Sequence, residues 1–323
     1  MKIKNLLTMA LAGIMTFAVV GCGAVGIDGE TSSNTESTTT EATADTGSTV
    51  GSGSIGLSIS TLNNPFFVTL QEGAQAKADE LGIDLIVVDA GDDSAKQASD
   101  IEDLVSKDIS VLIVNPVDSD AVAPSVEDAI AKGIKVIAVD RVVNGVDVDC
   151  SIASDNVAGA QMAAEYIVEL VGEGAKVAEL EGVNGASATI DRGEGFHKVA
   201  DDKLDVVASQ TANFNRAEGM SVMENILQAN SDIKAVFAHN DEMALGAVEA
   251  ISGKDIIVAG FDATDDAIAA VKDGTMACTV AQKPDLMGAT AVETAQSLMN
   301  GETVEKSMPV EVKLITKDNV DEQ

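Results

Sequence analysis

Ten short apolar runs, most of them separated by helical patterns, constrain the fold of this chain more than any other feature. The runs are rich in Val, Ile and Ala without polar alternation, which is typical of strands buried on both faces of a parallel sheet. Helical patterns such as 66–81, 155–171 and 284–300 lie between them. Ten strands exceed one comfortable doubly wound sheet, so the sequence predicts an α/β protein with two doubly wound parallel-sheet lobes. The predicted strands are residues 55–60, 83–89, 111–115, 134–140, 148–152, 176–181, 206–210, 235–240, 256–260 and 276–282.

A weak internal echo between residues 111–121 and 235–244 supports the division into two lobes. Each segment is a strand that ends in Asn and passes through acidic residues, which are natural N-caps, into a helix. The same structural unit is therefore predicted once in each half of the chain.

The first 22 residues indicate an export signal. A basic head with Lys2 and Lys4 precedes an apolar run that is short for a spanning helix and fits a secretory signal. The run ends in Val-Val-Gly-Cys22, which resembles the lipobox of bacterial lipoproteins, in which the Cys is acylated and becomes the mature N-terminus. Val19 stands where Leu is usual. We predict a signal peptide at residues 1–22 and lipidation of Cys22, with an ordinary secretory signal and an incidental Cys as the alternative.

Residues 23–54 are predicted to form a disordered tether. Most of this segment is Thr, Ser, Glu, Gly, Ala and Asp, so it has almost nothing to bury and cannot offset the entropy of ordering. No later apolar run is long enough to span a bilayer. A lipid on Cys22 and this tether would hold a globular domain at the outer face of a bacterial cell membrane, and we expect a Gram-positive cell.

The charge of the chain excludes several partners. With 20 Lys and Arg against 53 Asp and Glu, the formal net charge is −33. Such a surface repels nucleic acid and anionic lipid headgroups, and it disfavours phosphorylated substrates. The sequence has no P-loop, and its two GxGxxG matches, at residues 21–26 and 51–56, do not follow a strand and open a helix. We therefore predict no nucleic-acid partner, no nucleotide hydrolysis by a P-loop and no dinucleotide-binding fingerprint.

The other cysteines and the two histidines do not predict a metal site. Cys150 and Cys278 each lie in a strand-like run, and we interpret them as small buried residues, although an extracellular disulfide between them stays open. His197 and His239 belong to no cluster of Cys, His and carboxylate at ligand spacing. We predict no metal and no cofactor.

The segment Ser60-Thr-Leu-Asn-Asn-Pro-Phe-Phe67 follows the first predicted strand and precedes a helix. In open α/β sheets, ligands bind at the carboxyl ends of the strands. The chain has only seven Phe, one Tyr and no Trp, yet two Phe stand here beside two amides. Apolar ring faces with amide hydrogen-bonding groups suit a sugar, which has C–H faces and hydroxyl edges. Taken alone, the segment also fits a helix start with two core Phe.

Polar residues at the other strand ends and adjoining loops extend this pattern. Carboxylates accept hydroxyl protons, and Arg and Asn donate to hydroxyl oxygens, as recognition of a neutral polyol requires. Four of the six Phe after the signal also fall in these segments. The candidate residues are Ser60, Asn64, Phe66, Phe67, Asn115, Asp140, Arg141, Arg192, Phe214, Asn240, Asp241, Phe261, Asp262 and Gln282.

The sequence favours binding over catalysis. No nucleophile stands beside a base, and neither His has an obvious Ser or Cys partner. Asp140 and Asp262 are a candidate acid/base pair of the glycosidase kind. However, an arginine such as Arg141 in the pocket lowers a carboxylate pKa, whereas a general acid needs a raised pKa. We predict a binding protein and not an enzyme.

At these residues the chain resembles the ribose-binding proteins of bacterial ABC importers, from residue 55 to about residue 316. The motifs that carry the resemblance are Ser60–Phe67, Asn115-Pro-Val-Asp-Ser-Asp-Ala-Val122, Ile152-Ala-Ser-Asp-Asn156, Arg192-Gly-Glu-Gly-Phe196, Asn240-Asp-Glu-Met-Ala-Leu-Gly246, Gly260-Phe-Asp262 and Ala281-Gln282. In this family three Phe sandwich the sugar ring and polar groups saturate its hydroxyls. The ribose contacts that the resemblance implies, none of them substituted, are Ser60, Asn64, Phe66, Phe67, Asp140, Arg141, Arg192, Phe214, Asn240, Phe261, Asp262 and Gln282.

The resemblance also implies that the chain crosses three times between two lobes, near residues 154–155, 282–283 and 310–311. A sugar that bridges both lobes then stabilises a closed state, whose surface is presented to the permease of the importer. We expect a monomer with an ABC permease as partner, and a chemoreceptor as a further partner stays open. The implied lobes are residues 55–154 plus 283–310 for the N-terminal lobe and residues 155–282 plus 311–323 for the C-terminal lobe.

Other functions stay open from the sequence. A binding protein for another monosaccharide such as D-allose, or for a ribose-like signal such as the furanosyl form of autoinducer-2, would differ at a few polar positions. The lobe pair also resembles sugar-responsive transcription repressors, but those carry a basic N-terminal helix-turn-helix where this chain has a lipobox and an acidic tether. An exported sugar-modifying enzyme would need a nucleophile with a base, or metal ligands.

Overall fold

The computed structural model describes residues 53–322. The predicted signal peptide at 1–22, its lipidated Cys22 and nearly all of the predicted tether at 23–54 lie outside these residues, so they stay predictions. Within the part of the chain that is described, no helix is both long enough and apolar enough to cross a membrane.

Strands and helices alternate along almost all of the described chain. This order is that of repeated β-α units, because parallel neighbours need a crossover connection that is usually a helix. In chain order the elements are β1 (Ile55–Ile59), α1 (Pro65–Leu81), β2 (Leu85–Asp89), α2 (Ser94–Ser106), β3 (Val111–Val114), α3 (Ala123–Ala131), β4 (Lys135–Val139), β5 (Cys150–Ser154), α4 (Asn156–Val171), β6 (Lys176–Glu181), α5 (Ser187–Lys203), β7 (Asp205–Thr211), α6 (Arg216–Ala229), β8 (Ala235–Ala238), α7 (Asp241–Ile251), β9 (Ile257–Asp262), α8 (Asp265–Asp273), β10 (Cys278–Ala281), α9 (Pro284–Met299), β11 (Ser307–Val310), β12 (Lys313–Thr316) and a 3-10 helix (Val320–Glu322).

The strands form two six-stranded sheets, one in each lobe. The sheet of the N-terminal lobe has the order β11-β5-β4-β3-β1-β2, with every pair parallel. The sheet of the C-terminal lobe has the order β12-β10-β9-β8-β6-β7 and is parallel except for the β10–β12 pair. Interior strands such as β3 and β8 are buried along their whole length, as helices on both faces require. The prediction of two doubly wound α/β lobes is confirmed.

The chain passes between the two sheets three times. It leaves the N-terminal sheet after β5, returns after β10 and leaves again after β11 to form β12. The N–H of Asp155, in the first connection, donates to the carbonyl of Val310, in the third, at 3.3 Å. Short connections of this kind are the places where hinge motion between lobes is absorbed.

The start of helix α1 shows how the local sequence places residues at the cleft between the lobes. The Asn64 side chain caps the helix and accepts from the N–H of Phe66 at 2.9 Å, and Pro65 occupies the first turn. The helix ends at Leu81 and is capped by Gly82, whose φ of 68° is a left-handed conformation that glycine adopts without steric cost. Phe66 and Phe67 are thereby fixed just beyond the carboxyl end of β1.

The ten predicted strands match β1 to β10, whereas β11 and β12 were not predicted. Both missed strands have four residues, lie at sheet edges and are largely exposed or half-buried, so they carry little apolar signal. Cys150 in β5 and Cys278 in β10 are buried and free, so the interpretation as small buried residues is confirmed and the disulfide alternative is wrong.

Candidate functional site

Side chains at the carboxyl ends of both sheets line a partly open cavity between the lobes, whose empty space, with the adjoining solvent included, is about 240 Å³. Residues far apart in the sequence meet there because the carboxyl ends of parallel strands share one edge of each sheet. Ten of the twelve predicted contact residues line the cavity, and Ala188 joins them. The lining residues are Asn64, Phe66, Phe67, Asp140, Arg141, Ala188, Arg192, Phe214, Asn240, Asp262 and Gln282.

The other two predicted contact residues, Ser60 and Phe261, lie behind the cavity wall. Ser60 is fully buried, and its N–H donates to the side-chain oxygen of Asn115 at 3.1 Å. Phe261 is also fully buried, and its ring centre lies 3.9 Å from the guanidinium carbon of Arg192. In this structure Phe261 packs against the lining residue Arg192, and Ser60 bonds Asn115, which in turn bonds Asp140.

Aromatic rings from both lobes form part of the cavity wall. Phe66 and Phe67, from the N-terminal lobe, meet edge to face with their ring centres 5.1 Å apart. Phe214, from the C-terminal lobe, follows β7 in a left-handed conformation with φ of 57°. A Cβ atom on Gly182 would lie 2.0 Å from the Phe214 ring, so only glycine at residue 182 leaves space for this ring. A solute in the cavity would therefore contact ring faces from both lobes.

Arg141 joins the aromatic groups of the two lobes. Its guanidinium carbon lies 5.1 Å from the ring centre of Phe67 and 5.5 Å from that of Phe214. Its Nη1 donates to the carbonyl of Pro116 at 2.7 Å, which fixes the side chain from the N-terminal lobe. Because an arginine head stacks on rings while it donates hydrogen bonds, this residue can order both walls at once.

Arg192 is the corresponding guanidinium of the C-terminal lobe. Its Nε donates to the side-chain oxygen of Asn156 at 2.8 Å, and its Nη1 donates to the carbonyl of His239. Its Nη1 also lies 3.8 Å from a carboxylate oxygen of Asp262. With the Phe261 ring beneath it, this side chain is held from several directions in one orientation.

The two carboxylates of the cavity stand on strained backbone at strand ends. Asp140 has a φ of 65° and Asp262 a φ of 126°, both in a region that L-residues rarely adopt. Asp140 accepts from the Asn115 side chain at 3.2 Å, and Asp262 accepts from the Gln282 side chain at 2.7 Å. Strain of this kind costs about 1–3 kcal/mol for each residue and concentrates at functional sites.

The charges of the cavity compensate one another. Burial raises the pKa of the carboxyls of Asp140 and Asp262, and the positive charges of Arg141 and Arg192 oppose that rise. Burial also lowers the pKa of both arginines, and their carboxylate partners oppose that change. The formal charges of these two carboxylates and two guanidinium groups cancel, which suits a neutral ligand.

Several buried polar atoms of the site have no hydrogen-bond partner among residues 53–322. They include Oδ1 of Asp140, Nε of Arg141 and Oε1 of Gln282. Buried polar atoms are nearly always paired in folded proteins, so unpaired ones in one cavity indicate a ligand that completes them. Two acceptors and a charged donor between ring faces match the hydroxyl groups and C–H faces of a small polyol.

The rims of the two lobes touch directly. The N–H of Ser119, in the N-terminal lobe, donates to the carbonyl of Gly185 in the C-terminal lobe at 2.9 Å. The N–H of Ser187 donates to Oγ of Ser119 at 3.2 Å, and the N–H of Val142 donates to Oγ of Ser187 at 3.0 Å. The two rims are therefore in direct contact in this structure.

Some residues that support the site were not among the predicted contacts. Asn115 and Asn156 each bond a charged residue of the cavity, and the buried side chain of Gln97 donates to the carbonyl of Asn115 at 2.9 Å. Asn115 was noticed as a strand end, and Asn156 lies in one of the quoted motifs. No local pattern distinguishes Gln97 or Ala188, because their roles depend on which elements pack together.

The fold and the cavity define a two-lobed α/β protein that binds a small solute between its lobes. The family model described as a periplasmic binding protein domain matches residues 55–303. The ribose import binding protein RbsB of Bacillus subtilis (strain 168) is 53% identical over 265 residues, which cover 81% of this chain and 87% of that protein. The same-named protein of Escherichia coli (strain K12) is 48% identical over 267 residues, which cover 81% and 90%. The chain belongs to the periplasmic binding protein family.

Solved structures show the same architecture. An ABC transporter solute binding protein from Bacillus halodurans C-125 with bound myo-inositol has a TM-score of 0.80 at 36% identity, covering 84% of this chain and 97% of that one. A periplasmic solute binding protein from Actinobacillus succinogenes 130z with bound D-allose has a TM-score of 0.78 at 31% identity, covering 84% and 100%. Membership of this family agrees with the prediction of a binding protein and not an enzyme.

Proposed function

We propose that this protein captures D-ribose between its two lobes and delivers it to the permease of an ABC importer. The observation that carries the proposal is the set of unpaired polar atoms on Asp140, Arg141 and Gln282, which meet in one cavity walled by rings from both lobes. The names of the relatives from Bacillus subtilis and Escherichia coli support ribose as the sugar. In this proposal the twelve predicted residues form the ribose site, ten of them at the cavity wall and Ser60 and Phe261 behind it.

The chemistry of the cavity supports a neutral sugar over a charged solute. An anionic ligand would add a charge beside Asp140 and Asp262, and a cation would add one beside Arg141 and Arg192. A sugar adds no charge, and each hydroxyl can both donate to a carboxylate and accept from a guanidinium. The C–H face of the sugar ring would pack against the Phe66 ring, and this apolar contact does not depend on the charged side chains of the cavity.

Closure of the lobes follows from the placement of the binding groups. The N-terminal lobe supplies Asp140 and Arg141, and the C-terminal lobe supplies Arg192 and Asp262, so a bound sugar would bond to both lobes. A ligand shifts a conformational equilibrium by its difference in affinity between the two states. Because only the closed state brings both sets of groups to the sugar, ribose stabilises that state, and the closed surface is the one the permease would recognise. The lobes proposed for this motion divide at 154/155, 282/283 and 310/311.

The proposed setting is the outer face of the cell membrane. Family membership supports an extracytoplasmic protein. We extend this to a lipoprotein that is anchored through Cys22 in a Gram-positive cell. In this proposal the protein is a monomer, and a chemoreceptor can also bind it. Cys22→Ser is expected to release the protein into the medium, as measured by immunoblotting of membrane and medium fractions. Retention of the variant in the membrane fraction would show that the lipobox interpretation is wrong.

Calorimetric titration of the full-length protein, purified in detergent, tests the choice of sugar. D-ribose is the ligand, and D-xylose, D-allose and D-galactose are comparators. We expect a one-to-one heat with micromolar or tighter affinity for D-ribose and much weaker heats for the others. Heat with another sugar and none with D-ribose would contradict ribose and leave a solute-binding protein of different specificity. No heat with any of them would contradict the sugar site itself.

A further inference from the structure

A buried carboxylate that does not line the cavity lies directly behind it. Asp241 begins helix α7 beside Asn240, is fully buried, and forms no ion pair within residues 53–322. Its partners are neutral donors: the N–H of Thr264 at 2.8 Å, the hydroxyl of Thr264 at 3.2 Å and the hydroxyl of Thr279 at 2.7 Å. Burial raises the pKa of the Asp241 carboxyl to about 7, because these bonds and the charge of Arg192 offset only part of the lost hydration.

The backbone that these bonds hold is strained. Asp262 and the next residue, Ala263, have φ values of 126° and 58°. The N–H of Ala263 donates to the hydroxyl oxygen of Thr279 at 3.1 Å, and the same hydroxyl donates to Asp241. Strained conformations persist only where the surroundings determine them. Asp241, Thr264 and Thr279 therefore form a clasp that holds the turn at residues 262–264.

The neighbouring strand leaves space for this clasp. A Cβ atom on Gly260, in β9, would lie 2.3 Å from Oδ1 of Asp241, well inside contact distance. Any larger side chain at this position would displace the carboxylate from the hydroxyl of Thr279. Strand β9, which carries Asp262 at its end, thus has a glycine where the Asp241 carboxylate needs space.

The geometry points to Asp241 and Thr279 as positioning residues that aim the carboxylate of Asp262 at the sugar. The inference rests on the proposed function, since it takes Asp262 as a sugar contact. With the clasp in place, the Asp262 carboxylate lies 2.7 Å from the Gln282 side-chain nitrogen and 3.8 Å from a nitrogen of Arg192. Without the clasp, Asp262 and Ala263 relax toward ordinary backbone conformations, and the carboxylate turns away from these partners.

Thr279→Val tests the clasp because it keeps the shape of the side chain and removes only the hydroxyl. We expect the affinity of the full-length protein for D-ribose to fall about tenfold, as calorimetry measures it, since two hydrogen bonds of the clasp are lost. The matched control is Thr294→Val, because Thr294 is a buried threonine of helix α9 in the other lobe. The affinity of this variant for D-ribose should stay within about twofold of wild type. Thr279→Ser should restore most of the lost affinity.

A double-mutant cycle separates positioning from a general loss of stability. In the Asp262→Asn background, Thr279→Val should weaken D-ribose binding by less than about twofold, because the group that it positions is already absent. An undiminished tenfold effect in that background would overturn the inference, as would an unchanged affinity of the single variant. If Thr279→Val does not fold, Asp241→Asn takes its place in the same cycle with the same expected direction.

Amide hydrogen exchange tests the clasp without any sugar. The amides of Ala263 and Thr264 should exchange faster in Thr279→Val than in wild type, whereas amides in β3 should be unchanged. If wild type does not bind D-ribose, the proposed function fails, but this exchange result still decides whether the clasp holds the turn. Equal exchange at Ala263 and Thr264 in the two proteins would overturn the inference.

Discussion

The two halves of the cavity hold the same kind of charged pair in different ways. In the N-terminal lobe, Asp140 and Arg141 are neighbours in the chain, directly after β4, and Arg141 is fixed by the carbonyl of Pro116. In the C-terminal lobe, Arg192 comes from helix α5 and Asp262 from the end of β9, so tertiary structure alone brings them together.

This difference explains where supporting polar groups accumulate. Asn156 and the carbonyl of His239 hold Arg192, and the clasp of Asp241, Thr264 and Thr279 holds the turn at Asp262. In the N-terminal lobe, Asn115 bonds Asp140 and Gln97 bonds Asn115, but one strand end already sets the position of both charged residues. Substitutions behind the cavity should therefore weaken sugar binding most in the C-terminal lobe.

The largest expected effect is that of Asp262→Asn. The amide cannot replace a buried, charged acceptor, so D-ribose binding should weaken by about 3 kcal/mol, or roughly 100-fold in Kd, as measured by calorimetry. Asp273→Asn, at the exposed end of helix α8, is the control and should bind like wild type. Wild-type affinity in Asp262→Asn would remove this residue from the site.

Asn156→Ala tests whether Arg192 depends on support from behind. Loss of the acceptor leaves the Arg192 Nε unpaired, and D-ribose affinity should fall about tenfold, which corresponds to about 1.4 kcal/mol. Asn300→Ala, at an exposed helix end, gives the baseline for removing an asparagine. If Asn156→Ala binds D-ribose as tightly as the Asn300→Ala control, Arg192 does not depend on this support and the inferred difference between the lobes is wrong.

Phe214→Leu tests the aromatic wall of the C-terminal lobe. A leucine fills part of the space but offers no ring face to the sugar or to Arg141, so affinity should fall by about 1 kcal/mol, or roughly fivefold. Leu170→Ala, an exposed apolar residue of helix α4, should leave the titration unchanged. A Phe214→Leu variant with full affinity would show that ring stacking contributes nothing on this side.

The smallest expected effect is a pH dependence of stability that involves His197. Burial opposes protonation of this residue, but hydrogen bonds to Asp201 at 2.7 Å and Glu179 at 3.1 Å outweigh it and raise the pKa of His197. A raised pKa in the folded state gives stability that is complete below the unfolded value of about 6.5 and is lost as pH rises through the folded value.

His197→Gln should therefore destabilise the protein more at pH 5.5 than at pH 8.5. The side chain is partly exposed, so the difference should be only about 0.5 kcal/mol after solvent screening, measured by denaturant unfolding at the two pH values. Lys198→Gln, its exposed neighbour, should show no such difference. A larger loss of stability at pH 8.5 would contradict the assigned direction of the pKa shift.

Much of the architecture is readable in the sequence, and the reason is physical. Strands such as β1 and β3 are buried on both faces, so each is a continuous apolar run. Cavity residues such as Asp140 and Asp262 could also be predicted from the sequence, because they stand at the carboxyl ends of such runs. Edge strands β11 and β12 were not predicted, because short exposed segments have no comparable apolar signal.

The groups behind the cavity could not be predicted in the same way. The contact of Thr279 with Asp241 depends on the order of β8, β9 and β10 in the sheet, which no local pattern records. The positions of Ser60 and Phe261 behind the wall likewise depend on the direction in which each side chain leaves its strand. A strand-end rule finds the correct edge of the sheet and cannot say which face of a strand meets the ligand.

The central claim is that D-ribose contacts both lobes and holds them closed. Its most direct test is the distance between spin labels at Lys132→Cys and Asp202→Cys, two exposed positions on different lobes, with and without D-ribose. The full-length protein should show a shorter and narrower distance distribution with D-ribose than without it, and the Asp262→Asn variant should need a much higher sugar concentration for the same change. A calorimetric heat of binding with no change in this distance would contradict closure around the sugar.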